Sequence, residues 1–91
     1  MQIKYFATLR DITHTPEETI SVNSLTLDEL IHILCKKYGK AFEKWVTFEE
    51  GGFGSLSIFL VNGQDYRSLN GLQTQIKDGD VISLFPPIAG G

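Results

Sequence analysis

At 91 residues, with 42% hydrophobic and 21% charged side chains, the chain has the composition of a globular protein with one domain and one core, not that of a disordered or fibrous one. A formal net charge of −3 and a pI near 5.2 argue against nucleic acid as a partner, because phosphate binding needs a basic face that releases counterions. Cys35 is the only cysteine, which excludes an intramolecular disulfide and any cysteine-rich metal or iron-sulfur site.

From Gln2 to Arg10, Ile3, Tyr5, Ala7 and Leu9 alternate with Lys4, Phe6, Thr8 and Arg10, which predicts a strand with two different faces. A turn-rich stretch from Asp11 to Pro16 follows, and Thr19 to Asn23 alternates again as the returning arm of a hairpin. Thr26 and Glu29 have the spacing of a capping box, with Leu25 and Leu30 placed as a hydrophobic staple. Leu27, Leu30, Ile31, Leu34 and Tyr38 then recur at helical spacing. Lys36 and Lys37 complement the negative end of the dipole and Gly39 ends the helix.

Ala41 to Val46 predicts a short second helix and Glu50 to Ser55 a glycine-rich loop. Ser57 to Val61 is a β-rich run closed by the turn pair Asn62-Gly63. Leu69 to Leu72 reads as a brief helical turn before a short edge strand. Lys77 to Asp80 is another turn. Val81 to Phe85 is the last strand, stopped by Pro86 and Pro87, which cannot donate to a ladder. One strong helix lying across one mixed sheet is the α+β architecture of a β-grasp, expected over residues 1–85, with an extended tail over 86–91.

Most chemistry-bearing residues have a plain structural reading. The glycine-rich loop lacks the lysine and hydroxyl of a phosphate-binding loop, and Asp78-Gly79-Asp80 lacks the remaining ligands of a calcium loop. His14 lies in a turn, and His32 falls on the helix face opposite the leucines. Cys35 sits at the edge of the apolar face as a half-buried thiol, and no metal site is expected. Asp11, Asp28, Glu29, Glu43 and Asp65 do not assemble into a catalytic pair. The start of the chain has no charged leader and no apolar stretch could span a bilayer, so a soluble cytoplasmic protein with no membrane partner is expected.

The tail differs. Pro86 and Pro87 restrict the backbone as it leaves the sheet, Ile88 is one apolar handle, and Ala89-Gly90-Gly91 tapers to bare backbone that can thread a narrow channel. A carboxylate is unreactive until activated, and glycine leaves room for ATP and a nucleophile around it. A flexible terminus with no task has the same composition. By alternation Phe6 and Phe85 both point away from the helix, so two aromatics share the sheet's uncovered face as a partner surface, unless the segment from Ala41 covers them.

Tyr5 to Arg10, Val61-Asn62-Gly63, Leu69 to Leu72, Lys77 to Asp80 and the ending Phe85-Pro86-Pro87-Ile88-Ala89-Gly90-Gly91 together resemble the MoaD/ThiS family of ubiquitin-like sulfur carriers. Within it the match is to the MoaD branch, the small subunits of molybdopterin synthase, and it spans essentially the whole chain. The resemblance implies that an ATP-using activating enzyme adenylates Gly91, which becomes a thiocarboxylate fed by a sulfur donor system. The molybdopterin synthase large subunit would then use that sulfur to build the dithiolene. It further implies that Gly90 and Pro86 to Ala89 line partner channels, that Phe85 packs against partners, and that the chain binds no cofactor and is not catalytic alone. Related carriers feed thiamine or other small-molecule pathways, and related modifiers are conjugated to lysines. The stretch from Phe42 to Ser57 is longer than in the shorter members, and Arg10 has no derived role.

Overall fold

In the computed structural model, which describes residues 1–46 and 57–87, a five-stranded mixed sheet carries the helices on one face. In chain order the elements are β1 (Gln2–Tyr5), α1 (Thr8–Thr13), β2 (Glu17–Thr19), β3 (Ser24–Thr26), α2 (Leu27–Tyr38), α3 (Lys40–Val46), β4 (Ile58–Val61), β5 (Gln64–Asp65), β6 (Gln75–Lys77) and β7 (Val81–Phe85). Short 3₁₀ turns at Tyr66–Ser68 and Gly71–Gln73 precede β6. The sheet order is β2-β1-β7-β4-β5, with β1 and β7 parallel at the centre and the other pairs antiparallel. A β-grasp with one main helix is what the sequence predicts.

The core is what two periodicities require. Ile3 and Tyr5 of β1, Phe59 and Val61 of β4, and Ile82 and Leu84 of β7 alternate inward and are buried. So are Leu27, Leu30, Ile31 and Leu34, on one stripe of α2. The start of α2 is the predicted capping box: Thr26 Oγ1 accepts from the Glu29 amide at 3.1 Å, and Glu29 Oε1 accepts from the Thr26 amide at 2.9 Å. Replacing Thr26 with alanine should lower the unfolding free energy by about 1 kcal/mol, read from urea denaturation. Gly39 ends the helix with φ +82 while its N–H donates to the Cys35 carbonyl.

Three expectations need correction. The first strand stops at Tyr5 and does not run to Arg10. Leu9 N–H donates to the Phe6 carbonyl, Asp11 N–H to Ala7, and His14 N–H to Arg10, so Thr8–Thr13 is a helical turn. Leu9 is fully buried from that turn, and a single inward leucine cannot distinguish a continuing strand from a helix. Ala7 makes the break with φ 52 and ψ −127, a geometry that opposes an L side chain. The hairpin returns earlier than Thr19–Asn23, as Glu17–Thr19, while Ile20 and Val22 pack on the core from outside the ladder. Finally, Ser24–Thr26 forms a separate two-stranded sheet with Gln75–Lys77, a pairing across fifty residues that no local pattern announces.

Two turns are cross-locked. Asn62 takes a left-handed φ of 52 and Gly63 one of 85, the geometry behind the Asn-Gly preference in tight hairpins. The Asn62 amide side chain donates to Asp80 at 3.1 Å and accepts from the Val81 N–H at 2.9 Å, and Asp80 also accepts from the Lys77 N–H at 2.8 Å. These bonds fix where β7 starts. The predicted loop at Glu50 to Ser55 lies outside the described residues.

Glu18, which the sequence reading did not single out, ties the edge strand β2 to the helical layer. It lies opposite Ile3 and therefore faces inward, where it accepts hydrogen bonds from the Tyr5 and Tyr38 hydroxyls and from Lys37 Nζ at 3.1 Å. Burial alone would raise its pKa. The bonds from Tyr38, Lys37 and Tyr5 outweigh that and hold the carboxyl below its ordinary value. Burial, seconded by the Glu18 carboxylate, pushes Tyr5 well above the usual phenol range. A carboxyl depressed in the folded state stabilises fully above its unfolded value of about 4.3, and that contribution is lost as pH falls through the folded value. Glu18→Ala leaves the buried Tyr5 hydroxyl without its acceptor and should cost about 2 kcal/mol at pH 7. In denaturation at neutral and acidic pH, Glu18→Gln should show a smaller loss of stability on acidification below about pH 4 than the unaltered chain.

Candidate functional site

The register of the central strands defines the face that the helices leave bare. Gln2, Lys4 and Phe6 point away from the core on β1 and its continuation, as do Val81, Ser83 and Phe85 on β7 and Ile58 and Leu60 on β4; all are half-buried. Cross-strand partners form rows. Phe85 stands opposite Ile58, and Lys4, Ser83 and Leu60 line up in the next row. The Phe6 N–H donates to the Leu84 carbonyl at 3.2 Å and extends the parallel pairing by one residue. The Phe6 and Phe85 rings stack with centroids 4.2 Å apart and planes inclined by 10°.

The helical segment from Ala41 does not cover this pair. Phe42 is buried with its ring 6.0 Å from Tyr5, which faces the helical layer, so α3 belongs to the opposite side of the sheet. Among the described residues the stacked aromatics and the adjacent Ile58, Leu60 and Val81 form an apolar strip that no helix overlies.

Directly after Phe85 the chain leaves the sheet. Pro86 is buried and Pro87 half-buried, directly after the stacked Phe85. This places the departure point of the tail at the edge of the aromatic stack. Ile88, Ala89, Gly90 and Gly91 lie outside the described residues.

His14 is exposed at the end of α1. His32 is exposed with Nδ1 2.8 Å from the Asp28 carbonyl, and Cys35 is half-buried on α2. Glu29 belongs to the capping box and Asp65 binds Arg67 at 2.9 Å. Among the described residues no three His, Cys, Asp or Glu side chains gather as metal ligands, and no helix is long and apolar enough to cross a membrane.

The family model that matches the chain does so over residues 3–91, from within β1 through the terminal glycines, and it describes the ThiS family. The chain belongs to the ThiS family. This is the MoaD/ThiS group of ubiquitin-like sulfur carriers. The molybdopterin synthase sulfur carrier subunit of Drosophila sechellia is 26% identical over 94 aligned positions, covering 100% of this chain and 90% of that protein. The solution structure of small archaeal modifier protein 1 from Methanosarcina acetivorans is 34% identical, with a TM-score of 0.77 over 99% of this chain and 94% of that one. A chain from the crystal structure of the Amycolatopsis orientalis BexX/CysO complex is 25% identical, with a TM-score of 0.74 over 99% of this chain and 98% of that one. Both solved structures thus share the β-grasp frame over nearly the whole of this chain.

Proposed function

We propose that this ThiS-family chain carries sulfur as a thiocarboxylate on Gly91 and donates it, as the small subunit of a cytoplasmic molybdopterin synthase, to the dithiolene of molybdopterin. The observation that carries this reading is the Phe6–Phe85 stack on the bare sheet face, one residue before the Pro86-Pro87 exit that leads to Gly90-Gly91. A partner that grips the strip holds the chain within a few residues of Gly91, which favours a positioned reaction over a free encounter. The similarity to the Drosophila sulfur carrier subunit supports the molybdopterin branch.

The chemistry is supplied by partners. The Gly91 carboxylate attacks the α-phosphorus of ATP on an activating enzyme and pyrophosphate leaves. A persulfide sulfur then attacks the acyl adenylate with loss of AMP, and a thiol reduces the acyl disulfide to the thiocarboxylate. Gly90 and Gly91 keep side chains away from both attacks.

Intact-mass spectrometry after incubation with the activating enzyme, ATP and a sulfur donor should show one oxygen replaced by sulfur in the C-terminal peptide, unchanged by Cys35→Ser. Mixing the charged protein with a molybdopterin synthase large subunit and its cyclic pyranopterin precursor should then yield molybdopterin. A modification at Cys35, or no modification, overturns the carrier reading. The similarity to small archaeal modifier protein 1 favours a second reading, conjugation to lysines. Isopeptide-linked products in place of molybdopterin would establish it.

A further inference from the structure

The bare sheet face holds one feature that its apolar strip does not explain. Of the outward residues on the three central strands, Lys4 alone is charged, and it is half-buried between Glu17 of β2 and Ser83 of β7 in the ladder. Glu17 is the obvious counter-ion, yet its Oε2 accepts from Gln2 Nε2 at 2.7 Å, and Lys4 makes no ion pair among the described residues. By contrast, Lys37 and Arg67 each hold a carboxylate within 3.1 Å.

An apolar partner surface closing over Phe6 and Phe85 would strip water from this ammonium and leave it uncompensated, a strongly unfavourable outcome. A partner that brings its own negative charge avoids it. We infer that the activating enzyme covering this face presents a carboxylate to Lys4, beside an apolar recess that takes the Phe6–Phe85 stack. This rests on the proposed docking function and specifies the chemistry of the docking partner. Residues two apart on a strand are separated by roughly 7 Å, so the carboxylate and the recess should lie about that far apart on the partner. The arrangement divides the work: the aromatics supply buried area, and the ion pair fixes register along β1 and rejects partners whose matching surface is neutral or basic.

The test is calorimetric titration of the full-length chain and its Lys4→Met and Phe85→Ala variants into the ATP-dependent activating enzyme from the same organism, at low and high salt. Methionine keeps the length and the apolar stem of lysine, so an uncharged partner surface would bind Lys4→Met as tightly or more tightly. A paired carboxylate should instead make it about tenfold weaker, equivalent to about 1.4 kcal/mol, and should reduce the salt dependence. Lys4→Gln is a second neutral variant, with thermal unfolding as the check that both remain folded. Loss of affinity with Phe85→Ala but not with Lys4→Met or Lys4→Gln overturns the ion pair and leaves the docking face intact. No loss with any variant overturns use of the face itself.

Discussion

Adding even one residue after Gly91 should abolish thiocarboxylate formation. The atom that attacks ATP is then an amide, not a carboxylate, and the new carboxylate is displaced by one residue, about 3.5 Å, from the site at which the activating enzyme holds the nucleophile. Loss of the correct nucleophile position removes an effect worth several powers of ten, so the product should vanish from intact-mass spectra, not merely decline. Gly90→Val should show a partial version of the same defect, because a branched Cβ crowds the reacting carbonyl while the carboxylate stays in place. Binding of the extended protein to the large subunit, measured without ATP, separates a blocked reaction from a blocked channel. Normal thiocarboxylation of the extended chain on its added terminal residue would overturn the requirement that Gly91 end the chain.

The second large effect is expected at Phe85. Truncating an aromatic at the centre of a docking surface costs on the order of 2 kcal/mol, roughly thirtyfold in affinity, so Phe85→Ala should weaken the complex with the activating enzyme by about that factor. The fold should survive. Phe85 is half-buried, and the stacking term it shares with Phe6 is worth about 0.5 to 1.5 kcal/mol beyond buried area. A double-mutant cycle with Phe6→Ala gives a sharper reading, because rings stacked at 4.2 Å should bind as a unit and their losses should not add. Additive losses in calorimetry would mean that the two rings contact different parts of the partner.

The tail and the body share the work in this scheme. Ordering the backbone of the last residues costs roughly 1 to 2 kcal/mol each, and Ile88 is their one sizeable apolar anchor. A peptide from Phe85 to Gly91 should therefore bind the activating enzyme far more weakly than the whole protein does. In the proposed scheme the folded face, through the Phe6–Phe85 stack, contributes the difference.

Local sequence was sufficient wherever one segment carried its own constraint. Thr26, Glu29 and the leucine stripe specify α2 because a capping box and a 3.6-residue period are properties of neighbouring residues. Asn62-Gly63 and Lys77 to Asp80 specify turns because few residues tolerate the backbone angles required, and Pro86-Pro87 ends the last strand by removing donors. Alternation also placed Phe6 and Phe85 on one face. Tertiary structure decided the rest. Whether Leu9 sits on a strand or a helical turn depended on the break at Ala7, and the pairing of Ser24–Thr26 with Gln75–Lys77 joins segments with no mutual signal. Glu18 became a three-donor acceptor, and Lys4 an ammonium without an ion pair among the described residues, only when the register set one carboxylate toward the tyrosines and gave the other to Gln2. The physical reason is distance in sequence: caps, periods and turns are read within a few residues, whereas a pairing register is the joint minimum of strands that meet only after the chain has folded.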